Sequence, residues 1–317
     1  MPSRSPAAPR VPEPTRRRTA VVVALVVALT GGACSAAATV TGRGPAGTVA
    51  PPTVAAPDRD RGVDPDGGTL VRRGEFVAVC PFSHRSPDDP LVHAHHDGAT
   101  VATAHSHDFF GNTTTDEHST TAALLASGAT TCDLAEDLSS YWAPTMFRAG
   151  VPVAADQFTA YYDAAPGADP ASVLPMPAGL SMIAGNDPRP DAVRAAGWAC
   201  GKVRDDLVAA PSCRFRAPLT LRLTFPDCWN GRDIDSADHR SHMAYRVDGA
   251  CPASHPVPIV RLVLSIRYPV YGDPSDLVLA SGALATAHAD FMNAWTEAGM
   301  RDFTDLCIHR QVTCGTA

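Results

Sequence analysis

Eight cysteines run through the apolar-rich part of the chain: Cys80, Cys132, Cys200, Cys213, Cys228, Cys251, Cys307 and Cys314. An even set with no CxxC pair reads as four disulfides, not as a zinc knuckle or a redox motif. Four cross-links restrict the chain to folds that bring these residues together in pairs. Their spacing leaves the connectivity open, although Cys307 and Cys314 are close enough to close a local loop. Disulfides also require an oxidising compartment, so the reading is that of an exported protein.

The N-terminus agrees. Arg16, Arg17 and Arg18 precede the uncharged apolar run "AVVVALVVALT", and small residues follow in "GGACSAAATV". This order is that of a secretory signal over residues 1–38. A lipoprotein signal around Cys34 and an uncleaved N-terminal anchor are the alternatives, and they are the only routes to a membrane. Residues 39–68 are rich in Pro, Gly, Ala and Thr and have little to bury, which predicts a disordered linker. Residues 69–317 then form a single domain. The net charge is −7, and basic residues are not clustered beyond the signal, so nucleic acid is not an expected partner.

Two stretches alternate strictly. "LTLRLTF" puts Leu219, Leu221, Leu223 and Phe225 on one side, and "VRLVLSIRY" does the same with Leu262, Leu264, Ile266 and Tyr268. Period two over this length means half-buried strands. "EFVAVCPF" is a third strand. "STTAALLASG" has a helical cap and a stop at Gly128. "ATAHADFMNAW" places His288, Phe291, Met292 and Trp295 on one helical face. With 29 prolines breaking other windows, the expected fold is mainly β, a disulfide-braced α+β chain. Its sheets are antiparallel, in a sandwich or jelly-roll-like arrangement, with long loops and a few short helices.

Histidines cluster. "HAHH", from His93 to His96, reads as solvated loop. His105 and His107 are two apart in "AHSHDFFGN" and share a face on a strand. His239 and His242 in "DHRSHMAY" share a face on one helical turn. His288 adds a third imidazole, with Asp290 beside it. His105, His107, His239, His242 and His288 are therefore the expected ligands of a zinc or copper ion, with Asp108 or Asp238 fixing their tautomers. Without a metal, His239 or His242 is the base and Tyr245 the acid, assisted by Asp238 and Arg240. Asp235 and Asp238 are a candidate carboxylate pair for glycoside hydrolysis. Tyr141, Trp142 and Trp229 are candidate stacking platforms for sugar rings, and Arg246 a candidate partner for a uronate carboxylate. Each of these residues also has a plainer reading, in core packing or loop bracing.

Five ordered stretches carry a resemblance: "DPLVHAHHDGATVATAHSHDFFGN", "TTCDLAEDLSSYWAPTMF", "MPAGLSMIAGN", "FPDCWNGRDIDSADHRSHMAY" and "HADFMNAW". Together they resemble DUF1996, a domain of unknown function in secreted fungal and actinobacterial proteins. An alanine stands where the family's first motif has a serine ahead of its histidines, while Cys228, Trp229, Asp238, His239, His242 and Tyr245 match closely. The resemblance implies a secreted or cell-surface protein. Because such domains often sit beside carbohydrate-binding or cell-wall modules, it also implies work on polysaccharide, as a hydrolase or a lyase. A non-catalytic carbohydrate, copper or zinc binder and a structural wall protein are the competing classes.

Overall fold

A computed structural model describes residues 74–93, 105–187, 195–201 and 207–315. The signal, the linker and residues 94–96 of the "HAHH" loop lie outside these, as does the side chain of His93. Among the described residues, no helix is long and apolar enough to cross a membrane.

Two antiparallel sheets carry the architecture. In a six-stranded sheet the strands are ordered Thr313–Cys314, Glu75–Val79, Gln157–Asp163, Arg261–Arg267, Leu219–Thr224 and Ala196–Cys200. The single parallel pairing is that of the short C-terminal strand with Glu75–Val79. Both alternating stretches fall here, and Leu219, Leu221, Leu223, Leu262, Leu264 and Ile266 are all buried. A five-stranded sheet is ordered Phe82–Ser86, His107–Gly111, Ser140–Pro144, His288–Met292 and Ser181–Gly185. Its inner residues Phe110, Tyr141 and Phe291 pack into the same core as Phe158, Leu221 and Leu264. Phe110 and Phe158 stack across the gap at 4.3 Å between ring centroids. The fold is a β-sandwich.

The five-stranded sheet is buried on its outer face too. Phe109, Trp142 and Met292 meet Leu91 and Leu124 there. Leu124 comes from the helix Thr121–Ser127, capped by Thr120 and ended by Gly128 in the left-handed conformation, as the sequence predicts. Burial of both faces explains one correction. The segment read as a helical face around His288 is the strand His288–Met292. A strand covered on both sides need not alternate, so Phe291 and Met292 side by side, with His288 before and Trp295 after, also match a helical template. Tyr141 and Trp142, the expected stacking platforms, belong to the strand Ser140–Pro144, which is likewise buried on both faces.

The pairings are Cys80–Cys132, Cys200–Cys213, Cys228–Cys251 and Cys307–Cys314. Beside the first lies a polar network in the core. Tyr141 of one sheet and Tyr162 of the other share a hydrogen bond, Trp295 donates its indole N–H to the Tyr162 hydroxyl at 3.0 Å, and Tyr141 donates to Asp137 Oδ2 at 2.6 Å. Burial pushes the Asp137 carboxyl up to about 7, against the hydrogen bonds from Tyr141 and Ser139.

Both features have consequences in solution. Thiol titration of the denatured, unreduced protein is expected to find no free group among the eight cysteines, and reduction to lower the melting temperature, since a native bridge contributes about 2–5 kcal/mol. Asp137 holds its proton more tightly folded than unfolded. Its contribution is therefore complete below about pH 4 and is lost as pH rises toward about 7. Asp137→Asn is expected to flatten melting temperature against pH across that window; parallel curves for the two proteins would refute the assignment.

Candidate metal site

His107 and Phe109 point outward from their strand, as do Trp142 and Pro144 from the next and His288 and Asp290 from the one after. The ladder sets Phe109 opposite Trp142, Trp142 opposite Asp290, and His107 opposite Pro144. His107 and His288 are thus on strands two apart, about 9.5 Å by ladder spacing. Only the compact Pro144 ring stands in the row between them, so the imidazoles can lean toward each other. Their centroids lie 5.9 Å apart. His105, two residues before His107, closes the triangle at 4.3 Å from His107 and 5.2 Å from His288. On the far side of His288 its register partner is Gly185, whose φ is +83°. A Cβ there would lie 2.4 Å from the Ala287 carbonyl oxygen and 2.9 Å from the His288 Cα, so only glycine lets the strands close.

One nitrogen from each of His105, His107 and His288 falls within a 4.8 Å group. Donors of one tetrahedral ion lie about 3.3 Å apart when its bonds are about 2.0–2.1 Å, a difference that rotation about the soft imidazole torsion can close. His288 Nδ1 faces the Thr286 carbonyl at 3.0 Å. A carbonyl only accepts, so Nδ1 carries the proton and Nε2 keeps its lone pair. Both nitrogens of His107 are buried without a hydrogen-bond partner among the described residues, as are Trp142 Nε1 and Asp290 Oδ2. Such groups are costly to bury unless something else meets them. Burial, and then the neighbouring His105 and His288, hold His107 well below the usual histidine range. Burial lowers His288 to about 4. Neutral imidazoles are the form a metal takes.

Two carboxylates adjoin the imidazoles. Asp89, His107 and Asp290 form a second group within 4.8 Å, all buried. Burial, and then the charge of Asp89, raise the Asp290 carboxyl well above its usual range, while Arg240 opposes the shift.

A family model described as a domain of unknown function, DUF1996, matches residues 89–295, more than half of the chain. The chain belongs to the DUF1996 family. The DUF1996 match begins at Asp89 and takes in every donor of both groups. No curated protein matches the chain. No solved structure matches it either.

The other expected site residues of this DUF1996 domain are placed differently. His239 and His242 belong to neither donor group among the described residues. His239 Nδ1 is 2.8 Å from Asp235 Oδ1, and His242 Nδ1 is 2.8 Å from the Ser236 hydroxyl. Their segment runs along the outer edge of Ser181–Gly185. Ser181 N–H donates to the Ile234 carbonyl, Ile183 N–H to the His239 carbonyl, and the Arg240 guanidinium to the Ile183 and Gly185 carbonyls. Backbone and guanidinium stand in for the strand that this edge lacks. Arg240 therefore braces the strand beside His288.

Burial raises the Asp238 carboxyl, but hydrogen bonds from Ser241, Ser236 and the Arg240 N–H outweigh this and hold it well below the usual range. The Tyr245 hydroxyl donates to the Thr224 carbonyl, and Arg246 pairs with buried Asp227 at 2.6 Å. Tyr141 and Trp142 are fully buried, which removes them as sugar platforms. Trp229 is half-buried, its indole N–H donating to the Asp233 carbonyl. Asp108 lies on the inner face, held by Arg85 and Thr145 and turned away from the imidazoles. The carboxylate that sequence reasoning passed over is Asp89. Its Oδ1 accepts from Leu91 N–H ahead of Pro90, so in sequence it looks like a helix cap.

His239→Gln and His242→Gln are expected to lower the melting temperature by a few degrees while metal retention per folded molecule is kept. A lost buried hydrogen bond costs about 1–3 kcal/mol, and about 1 kcal/mol moves a domain of this size by roughly 2–4 °C. Calorimetry alongside metal analysis reads both, and loss of metal with unchanged melting would place these histidines in the site.

Proposed function

We propose that this DUF1996 chain is an exported domain that holds a zinc or copper ion on His105, His107 and His288 and uses it on cell-wall or environmental polysaccharide. The observation that carries the metal reading is His107: it is buried, has both ring nitrogens unpartnered among the described residues, and has two further imidazoles beside it. All-nitrogen donors suit zinc and copper over calcium or magnesium. Three protein ligands leave a tetrahedral ion one position for water or substrate, and a bound water is activated by its lowered pKa. His105, the half-buried member, is the side from which that position is reached.

Polysaccharide is the partner proposed for that position. Its support is the family's setting, the half-buried Trp229, and a surface cleft lined by Gly185, Asn186, Trp198, Leu284 and Ala287 along the backbone next to His288. Export rests on the four disulfides and the signal-like N-terminus.

Purified protein, stripped with chelator, reloaded with zinc or copper and desalted, is expected to retain metal. His107→Ala and His288→Ala are expected to lose most of it. Retention no higher than that of a histidine-free control would overturn the metal reading. Equal binding of metal-loaded and stripped protein to wall polysaccharides would remove the saccharide from the ion while leaving the ion in place.

A further inference from the structure

The donor set is larger than one ion needs. His107 is common to both groups, with His105 and His288 in one and Asp89 and Asp290 in the other. A histidine that binds one metal ordinarily gives its second nitrogen to a hydrogen-bond acceptor. His107 makes no such bond among the described residues: neither nitrogen has a partner, although the ring is 1% exposed and two carboxylates are at hand. Asp290 is also deeply buried, with Oδ2 unpartnered and 3.9 Å from His288 Nε2. Two carboxylates and an imidazole nitrogen, collected in a dry place, are a ligand set in themselves.

We propose that the site takes two divalent transition-metal ions bridged by the His107 ring. His105 and His288 complete the first ion's protein ligands, and Asp89 and Asp290 complete the second's. The inference rests on the metal reading above and extends it. Each ion takes one lone pair of the bridging ring, whose remaining proton leaves to solvent. The two carboxylates and the bridging imidazolate offset most of the added charge, which suits a buried location. The elements are independent: Asp89 precedes the short helix Pro90–His93, His107 lies on one strand, and Asp290 on another two strands away. The second position thus ties the segment around Leu91 to the outer face of the sheet.

The test is metal stoichiometry on the disulfide-intact chain after stripping and reloading with zinc or copper alone. Roughly two ions per wild-type chain are expected, falling to roughly one in Asp290→Asn and in Asp89→Asn. Both changes keep side-chain size, and in Asp89→Asn the amide oxygen can still accept from Leu91 N–H. Calorimetry identifies a variant that fails to fold, and the other then stands in for it. Copper provides a second readout. An imidazolate-bridged copper(II) pair is magnetically coupled, so the wild-type resonance should account for much less copper than is bound. Asp290→Asn should recover a full mononuclear signal. One ion per wild-type chain, with all of its copper visible, overturns the bridge and leaves the three-histidine centre standing. No retained ion overturns both.

Discussion

The pairing of Ser140–Pro144 with a strand on each side is the interaction on which the rest depends. Its inner residue Tyr141 enters the core network, and its outer residues Trp142 and Pro144 set the spacing of the donor cluster. A slip of one residue would exchange these faces. Tyr141 would then leave Tyr162 and Asp137, and Ala143 or Thr145 would replace Pro144 between the two imidazole-bearing strands. Stability and site geometry therefore rest on one register.

The edges of the sheet are held by different means. On the side nearest His288 the strand Ser181–Gly185 has no further strand beyond it among the described residues, and the segment containing His239 and Arg240 supplies its hydrogen-bond partners. Arg240 is near enough to lower His288 and to oppose the rise of Asp290, so the brace also carries a positive charge close to the donors. Two of its polar neighbours are held locally, His239 by Asp235 and Asp238 by Ser236 and backbone N–H groups, while His242 Nε2 is buried without a hydrogen-bond partner among the described residues. A loop rich in titratable residues thereby completes the edge of the sheet beside His288.

Burial is the common cause of the site's electrostatics. With both faces of the five-stranded sheet covered, His107 and His288 are driven toward the neutral form and Asp290 toward the protonated one. A metal bound there would reverse the balance, because it would supply the charge that water cannot supply there.

Much was legible in the sequence. Strict alternation located the strands Leu219–Thr224 and Arg261–Arg267, because each has one covered face and one wetter one. The cysteine count announced four bridges, and the i, i+2 spacing of His105 and His107 put them on one side. The His288 strand was misread because burial on both faces erases the period. Nothing local in "DHRSHMAY" shows that its backbone and Arg240 complete a sheet edge. Asp89 was passed over because a capping aspartate and a buried donor have the same sequence. Local spacing and composition carry the β-rich class and the four-bridge chemistry, and they single out three of the imidazoles that the fold gathers. Which side chains meet follows from the fold instead, since His107, Asp290 and Asp89 come from separate elements and are joined by a strand register and a covering segment that no local pattern encodes.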